Sequence, residues 1–189
     1  MKKNLITGFI IIVAIGFYWD LSVYTDSLFP KSKPAASGNN MQWAVYFSPN
    51  AGCTDAIVKE IKAASSVIRV QAYSFTSKPI AEALMDAHKR GVDVQVILDK
   101  SQRTANYSSA DFIAHAGIPT FIDAEHAIAH NKIIIIDNNT VITGSFNFTK
   151  AAEEKNAENL LVLKDSRLAD GYMGNWKCHL DHSEKYSGR

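Results

Sequence analysis

Cysteine and net charge are both scarce in this chain. Only Cys53 and Cys178 occur among its 189 residues, and two cysteines so far apart are weak evidence for a disulfide. Each could instead be a small buried apolar residue or a free thiol. With 47% hydrophobic and 21% charged residues, the chain has the composition of one globular domain plus an extension, and it can build a core without disulfide bonds.

The formal net charge of +1 argues against a strongly basic surface that would bind nucleic acid along its whole length. Affinity for a polyanion must therefore come from a local cleft and should fall with added salt. Several basic residues lie near the amino terminus, so the rest of the chain is close to neutral: Lys2, Lys3, Lys31 and Lys33.

An apolar hairpin is predicted in the second half of the chain. Ile133 to Ile136 are all β-branched, which is typical of a buried strand, and Val141 to Thr143 can form its partner. Asparagine tolerates a positive φ, so Asn138 and Asn139 suit a two-residue loop between the strands. This loop sets the predicted register of the hairpin.

In that register, Lys132 is expected opposite Ser145, and His130 opposite Asn147. Because strand side chains alternate with a period of two, all four are predicted to project from one face. Asp137 lies at an odd offset from His130, so we predict it in the turn, away from that face.

These residue types suit phosphodiester chemistry. An imidazole can attack phosphorus and be displaced again, while ammonium, amide and hydroxyl donors hold the non-bridging oxygens as negative charge develops on them. Nothing in the set requires a metal or another cofactor.

The pattern HxK, four residues, D, six residues, GSxN resembles that of the phospholipase D superfamily. The segments Val67 to Thr76 and Arg90 to Asp99 also resemble strands of its small single-motif members, the Nuc-type endonucleases. The resemblance spans about residues 42 to 182. It implies that His130 forms a phosphohistidine, that a second histidine protonates the leaving oxygen, and that Lys132 and Asn147 bind phosphate.

The resemblance also assigns three supporting residues. Ser145 would support the phosphate or the nucleophile, and Glu158 would be the carboxylate that orients the histidine. For Glu158 an exposed acid at the start of a strand is the alternative, since its role rests on family likeness alone. Asp137 matches the aspartate of the motif, which the family uses structurally.

No second HxK and no internal repeat occur in the chain, so one chain supplies half of a two-histidine site. The simplest completion is a homodimer with the active site at its twofold axis. Two imidazoles at close range cannot both be cationic at low cost, so one would be neutral and the other protonated. This predicts a bell-shaped pH dependence of turnover.

Alternating strand and helix patterns, with strands apolar on both sides, predict an α/β fold with a mixed sheet flanked by helices on both faces. Two weaker patterns are compatible with zinc. His126 and His130 are four residues apart, although His130 is predicted in a strand, and the run from Cys178 to His182 contains two more histidines. A solvated helix end is the simpler interpretation of that run.

The amino terminus carries Lys2 and Lys3, then an apolar run from Leu5 to Trp19, then Asp20. This order predicts export, with the domain in the periplasm or outside the cell. Residues 1–20 are either a cleaved signal peptide or a retained anchor in the inner membrane, residues 21–41 a flexible tether, and residues 42–189 a catalytic domain.

The sequence therefore predicts an exported, metal-independent phosphodiesterase, with nonspecific cleavage of DNA and RNA as its activity. Phospholipase D activity on phosphatidyl lipids is the alternative, because the motif recognises only the phosphodiester that both substrates share. A noncatalytic nucleic-acid or lipid-binding protein is disfavoured, because every position of the motif is intact.

Overall fold

The computed structural model describes residues 41–106 and 108–189. The predicted leader, residues 1–20, and all but the last residue of the predicted tether lie outside these ranges. Within them, no helix combines the length and the apolar character needed to cross a bilayer.

Eight strands and five α-helices make up the described chain. The strands are β1 (Gln42–Ser48), β2 (Val67–Ala72), β3 (Asp93–Asp99), β4 (Thr120–Asp123), β5 (Lys132–Ile136), β6 (Thr140–Gly144), β7 (Glu158–Lys164) and β8 (Glu184–Tyr186). The helices are α1 (Cys53–Ala63), α2 (Lys78–Lys89), α3 (Ala110–His115), α4 (Lys150–Glu154) and α5 (Ser166–His182), and a short 3₁₀ helix spans Lys100–Arg103.

All eight strands form one sheet in the order β1-β7-β6-β5-β2-β3-β4-β8. β2, β3 and β4 run parallel to one another, whereas every other neighbouring pair is antiparallel. The parallel pairs are joined through helices, as parallel connections require. The predicted mixed sheet is confirmed.

The two faces of the sheet carry separate cores. Helices α1 to α4 pack on one face, where Ile134 and Ile136 of β5 are buried. Helix α5 packs on the other face against Ile133 and Ile135, and the indole Nε1 of Trp176 donates a 3.0 Å hydrogen bond to a β2 carbonyl. Because β5 is covered on both sides, its continuous isoleucine run follows from its central position, and the prediction of helices on both faces is confirmed.

The predicted register of the β5–β6 hairpin is wrong by one residue. Asp137 and Asn138, both at φ 51°, form the turn, and the amide of Asn139 donates to the carbonyl of Ile136 at 3.1 Å. Ile136 therefore pairs with Thr140, and the loop contains three residues. Asp137 takes the left-handed conformation because its carboxylate is held by the loop before β2, which moves the turn one position earlier than the asparagine pair predicts.

The pairing of Lys132 with Ser145, and of His130 with Asn147, consequently does not occur. Strand β5 begins at Lys132, so His130 precedes the strand. On the other side of the hairpin, β6 ends at Gly144, and the amides of Ser145 and Phe146 both donate to the carbonyl of Asn159, at 3.1 and 3.3 Å. This arrangement is a β-bulge, and its extra residue turns Ser145 outward while Phe146 enters the core.

Candidate active site

His130 lies at the end of the loop that joins β4 to β5, with its side chain exposed. Three contacts hold this loop. The buried carboxylate of Asp99 accepts a 2.7 Å hydrogen bond from the amide of Ala129, the ammonium of Lys100 donates to the carbonyl of His126 at 2.9 Å, and the carbonyl of Asn131 accepts from the Tyr73 amide at 2.7 Å. The backbone of a potential nucleophile is thus held on both sides of it.

The ring of Tyr73 lies beside both His130 and Lys132. Its centroid is 4.5 Å from that of the imidazole, with the two planes tilted by 58°, and 5.1 Å from the Lys132 ammonium. Tyr73 follows the last residue of β2, so the strand end places an aromatic surface between the two motif residues.

Lys132 is a buried cation, with 7% of its surface exposed. Its ammonium donates to the His130 carbonyl at 3.0 Å, and no carboxylate among the described residues lies within ion-pairing distance of it. Burial lowers the pKa of Lys132, and the negative charge of Glu158 opposes that shift. A buried ammonium with donors left over is a strong attractor for an anionic ligand.

Ser145 and Glu158 are in direct contact. The Ser145 hydroxyl donates to Glu158 Oε2 at 2.6 Å and accepts hydrogen bonds from the amide and the side chain of Asn159, at 3.1 and 3.3 Å. Glu158 Oε1 accepts from the amide group of Asn156 at 3.0 Å. The single hydroxyl hydrogen of Ser145 therefore fixes the Glu158 carboxylate near Lys132.

Asn147 lies in the segment after the bulge. Its neighbours in the sequence, Phe146 and Phe148, are both buried. Its backbone carbonyl accepts from the Thr149 amide at 2.7 Å. Its side-chain Oδ1 is buried and accepts no hydrogen bond from the part of the chain that the structure describes. The amide group thus has unused hydrogen-bonding capacity, as a ligand-binding group would.

Asp137 lies at the opposite end of β5, roughly 15 Å along the strand from Lys132. Its carboxylate accepts hydrogen bonds from the amides and hydroxyls of Ser65 and Ser66 and from the amide of Val67. Burial favours its neutral form, but these donors outweigh burial and hold the pKa of Asp137 well below its usual range. As predicted, the residue lies in the turn and away from the other motif residues.

The two sequence patterns that are compatible with zinc are reorganised by the fold. His126 and His130 separate, because Nδ1 of His126 contacts Asp123 at 3.2 Å whereas His130 lies on Tyr73. His179 and His182 of α5 also converge on Asp123, without Cys178. Both cysteines are free thiols; Cys53 is buried, which raises its pKa to about 11, and Cys178 is exposed.

Sequence reasoning missed Asp99 and Asp123. They end β3 and β4 and are paired across these parallel strands. An aspartate directly after an apolar strand was a usable signal, because the carboxyl ends of neighbouring parallel strands meet at one edge of the sheet, where sites commonly form.

Known proteins resemble this chain in sequence and in fold. A family model described as "Cardiolipin synthase, PLD-like domain" matches residues 57–177, which is more than half of the chain. The phospholipase D of Rickettsia typhi is 39% identical over 181 residues, covering 89% of this chain and 88% of that protein. The mitochondrial cardiolipin hydrolase of Mus musculus is 33% identical over 110 residues, covering 58% of this chain and 50% of that protein.

Among solved structures, the phospholipase D family member Nuc from Salmonella typhimurium is 40% identical, with a TM-score of 0.75, and the match covers 78% of this chain and 99% of that one. The chain therefore belongs to the phospholipase D superfamily, as predicted. It is a phosphodiesterase of that superfamily, built on the single-motif fold.

Proposed function

We propose that the protein is an exported, metal-independent endonuclease that cleaves DNA and RNA without sequence specificity. The observation that carries this proposal is the buried Lys132 ammonium, which has no carboxylate partner in the described chain and lies beside the exposed imidazole of His130. An anionic diester bound at Lys132 would compensate the buried charge and place phosphorus next to a nucleophile.

The reaction would proceed in two displacements at phosphorus. A neutral His130 nitrogen attacks the diester, the bond from phosphorus to the leaving oxygen breaks, and the partner subunit's His130 gives that oxygen its proton. Water then attacks the phosphohistidine, its proton passes to the partner subunit's His130, and the nitrogen–phosphorus bond breaks. Lys132 and Asn147 hold the non-bridging oxygens in both steps. Glu158, held by Ser145, keeps Lys132 protonated and orients the catalytic histidine.

Dimerisation supplies the second histidine, and an uncovered surface supports it. Trp43, Val45 and Phe47 alternate along the edge strand β1, with 65%, 40% and 60% of their surfaces exposed. They lie on the face on which α5 packs, and α5 makes its main contacts there with β2, β4, β5 and β6. A contiguous exposed apolar stripe of this kind is typical of a protein interface. The far end of β1, Ser48, pairs with Glu158, so this edge strand runs up to the site.

A nucleic acid substrate agrees with the resemblance to the Nuc-type endonucleases. The chain covers 99% of the Nuc structure and contains the same compact fold, without additional domains in the described residues. Since the net charge is only +1, affinity for the polyanion would come from a twofold cleft that contains both Lys132 ammonium groups. Cleavage should therefore weaken with salt.

Phospholipids are the second candidate substrate. The relatives from Rickettsia typhi and Mus musculus carry the names phospholipase D and mitochondrial cardiolipin hydrolase. If the apolar run from Leu5 to Trp19 is retained as an anchor, it would keep the catalytic domain close to a bilayer. The contacts proposed for His130, Lys132 and Asn147 would be made to the phosphodiester alone, which lipids and nucleic acids share.

A parallel assay of the purified full chain on single-stranded DNA, double-stranded DNA, RNA and phospholipid vesicles, with EDTA present, separates these candidates. Cleavage of the nucleic acids with intact lipid supports the endonuclease. Release of a head group with intact nucleic acid supports the lipase. Binding without turnover of any substrate overturns both.

The covalent step can be tested independently. Rapid denaturation during turnover of a 32P-labelled substrate should trap label on the wild-type protein in an acid-labile, base-stable form, as expected for a phosphoramidate. His130→Ala should carry no label and should lose turnover by roughly three orders of magnitude or more. His88→Ala, a histidine on α2 outside the site, is the matched control and should behave as wild type.

A further inference from the structure

Three histidines converge on one buried aspartate at the edge of the sheet beyond β4. Nδ1 of His179 lies 2.7 Å from Asp123 Oδ2, Nε2 of His182 lies 3.4 Å from the same oxygen, and Nδ1 of His126 lies 3.2 Å from both carboxylate oxygens. The potential ligand atoms of the four residues all lie within 4.8 Å of one another.

The residues come from three separate elements. Asp123 ends β4, His126 lies in the loop that leads to β5, and His179 and His182 are three residues apart on the last turn of α5. Residues at this spacing lie on one side of a helix. The cluster therefore joins the end of α5 to the loop that carries the catalytic His130.

Charge explains why the group is unusual. Asp123 is fully buried, and no lysine or arginine among the described residues contacts it. The polar side chains closest to this buried carboxylate are three imidazoles, each of which directs one nitrogen at it.

The three rings lie close together, with centroid distances of 4.9, 5.2 and 5.3 Å. Three ring nitrogens and one carboxylate therefore occupy a small space. In the metal-free protein the ring nitrogens that face the carboxylate can donate their N–H groups to it. A divalent cation would displace these protons and bind the three nitrogens and the carboxylate together.

From this geometry we propose that Asp123, His126, His179 and His182 form a structural zinc site. A tetrahedral Zn²⁺ with bonds of about 2.0–2.1 Å needs ligand atoms roughly 3.3 Å apart. The three separations from a ring nitrogen to the carboxylate, 2.7, 3.2 and 3.4 Å, bracket that value, and all four ligand atoms lie within 4.8 Å of one another. Three nitrogens and one oxygen suit zinc, whereas Ca²⁺ and Mg²⁺ prefer oxygen ligands. With four protein ligands the site is closed, as structural zinc sites are.

The proposed ion would anchor α5 to the β4–β5 loop and take no part in the reaction. It therefore leaves the metal-independent chemistry proposed for His130 unchanged. The zinc site and the cleavage mechanism can be tested separately. Zinc binding is measured as affinity and as a gain in stability. The cleavage mechanism is measured as turnover in chelator, at a temperature where the zinc-free protein remains folded.

The test uses the untagged full chain, stripped with chelator and titrated with Zn²⁺ by calorimetry, followed by metal analysis and thermal unfolding. Wild type should bind one Zn²⁺ per chain and unfold several degrees higher with zinc. His182→Ala removes an exposed ligand and should weaken binding by roughly tenfold or more, with loss of most of the thermal shift. His115→Ala, an exposed histidine on α3, should bind as wild type.

The visible spectrum of bound Co²⁺ gives a second readout. It serves for variants that fold poorly, and it shows whether a histidine outside the cluster contributes to the site. Co²⁺ bound to wild type should show the intense visible bands of a tetrahedral site, and these should persist in His130→Ala and disappear in His182→Ala. Absence of zinc binding by wild type would overturn the proposal. Unchanged affinity in His182→Ala, or loss of binding in His130→Ala, would do so as well.

Discussion

The Ser145 hydroxyl donates a 2.6 Å hydrogen bond to Glu158 Oε2, and this contact links the bulge after β6 to the first residue of β7. The negative charge of Glu158 opposes the lowering of the Lys132 pKa that burial causes. The pair therefore controls the charge of the buried ammonium that is available to bind phosphate.

Glu158→Gln should lower kcat/KM by on the order of tenfold or more, because the carboxylate charge is lost. The pKa of Lys132 should fall further below its usual value, so the alkaline decline of activity should move to lower pH. The pH dependence of kcat/KM measures this shift. Glu154→Gln, on α4 and paired only with the exposed Lys150, is the control; an unmoved alkaline limb in Glu158→Gln would contradict the coupling.

Gly144→Ala should destabilise the fold by roughly 2–4 kcal/mol. Gly144 has φ 147°, and an added Cβ would lie 2.3 Å from the carbonyl oxygen of Asn159, which anchors the bulge. Urea denaturation of both proteins measures the change. Gly171→Ala, on α5, is the matched control. Its added Cβ would have open space around it, with no atom within 4 Å, so the variant should be more stable by about 0.5–1 kcal/mol.

Asp137→Asn should cost roughly 1–3 kcal/mol of stability near neutral pH, because the ionised carboxylate accepts five hydrogen bonds from Ser65, Ser66 and Val67. Asparagine tolerates the positive φ, so the variant removes the charge and one acceptor oxygen without adding backbone strain. The pKa of Asp137 is lower in the folded than in the unfolded state. Its contribution is therefore present above about pH 4 and is lost as pH falls through the folded value.

Urea unfolding from about pH 7 down to about pH 3 should show the difference between wild type and Asp137→Asn shrinking as the solution becomes acidic. Asp170→Asn, an exposed aspartate of α5, should show no such trend. A difference that is constant with pH would mean that Asp137 stabilises the loop through shape and not through charge.

Phe47→Lys should shift the protein from dimer to monomer and reduce cleavage by roughly tenfold or more, because a charge replaces a large exposed side chain of the apolar β1 stripe and the second histidine is lost. Sedimentation and turnover, measured on the same samples, test the link. Phe112→Lys, at an exposed position on α3, is the control. A Phe47→Lys monomer with full activity would reject the paired-histidine mechanism.

The sequence by itself determined the sheet with helices on both faces and the chemistry of the motif. The isoleucines of β5 can be buried on both sides only in a central strand, and the spacing from His130 to Asn147 is specific enough to predict phosphodiester chemistry. It also placed Asp137 in the turn, because an odd offset in a strand points to the opposite face.

Only the tertiary structure decided the register of the β5–β6 hairpin and the hydrogen-bond partners of Asp137, Ser145 and Asp123. The loop before β2 holds Asp137 and moves the turn by one residue, and the Asn159 carbonyl creates the bulge that turns Ser145 outward. The cluster around Asp123 likewise could not be assembled from the sequence, because His126 precedes His179 and His182 by more than fifty residues and meets them only when α5 packs on the sheet. Local patterns specify strands and turns, whereas contacts between distant segments depend on how the chain packs.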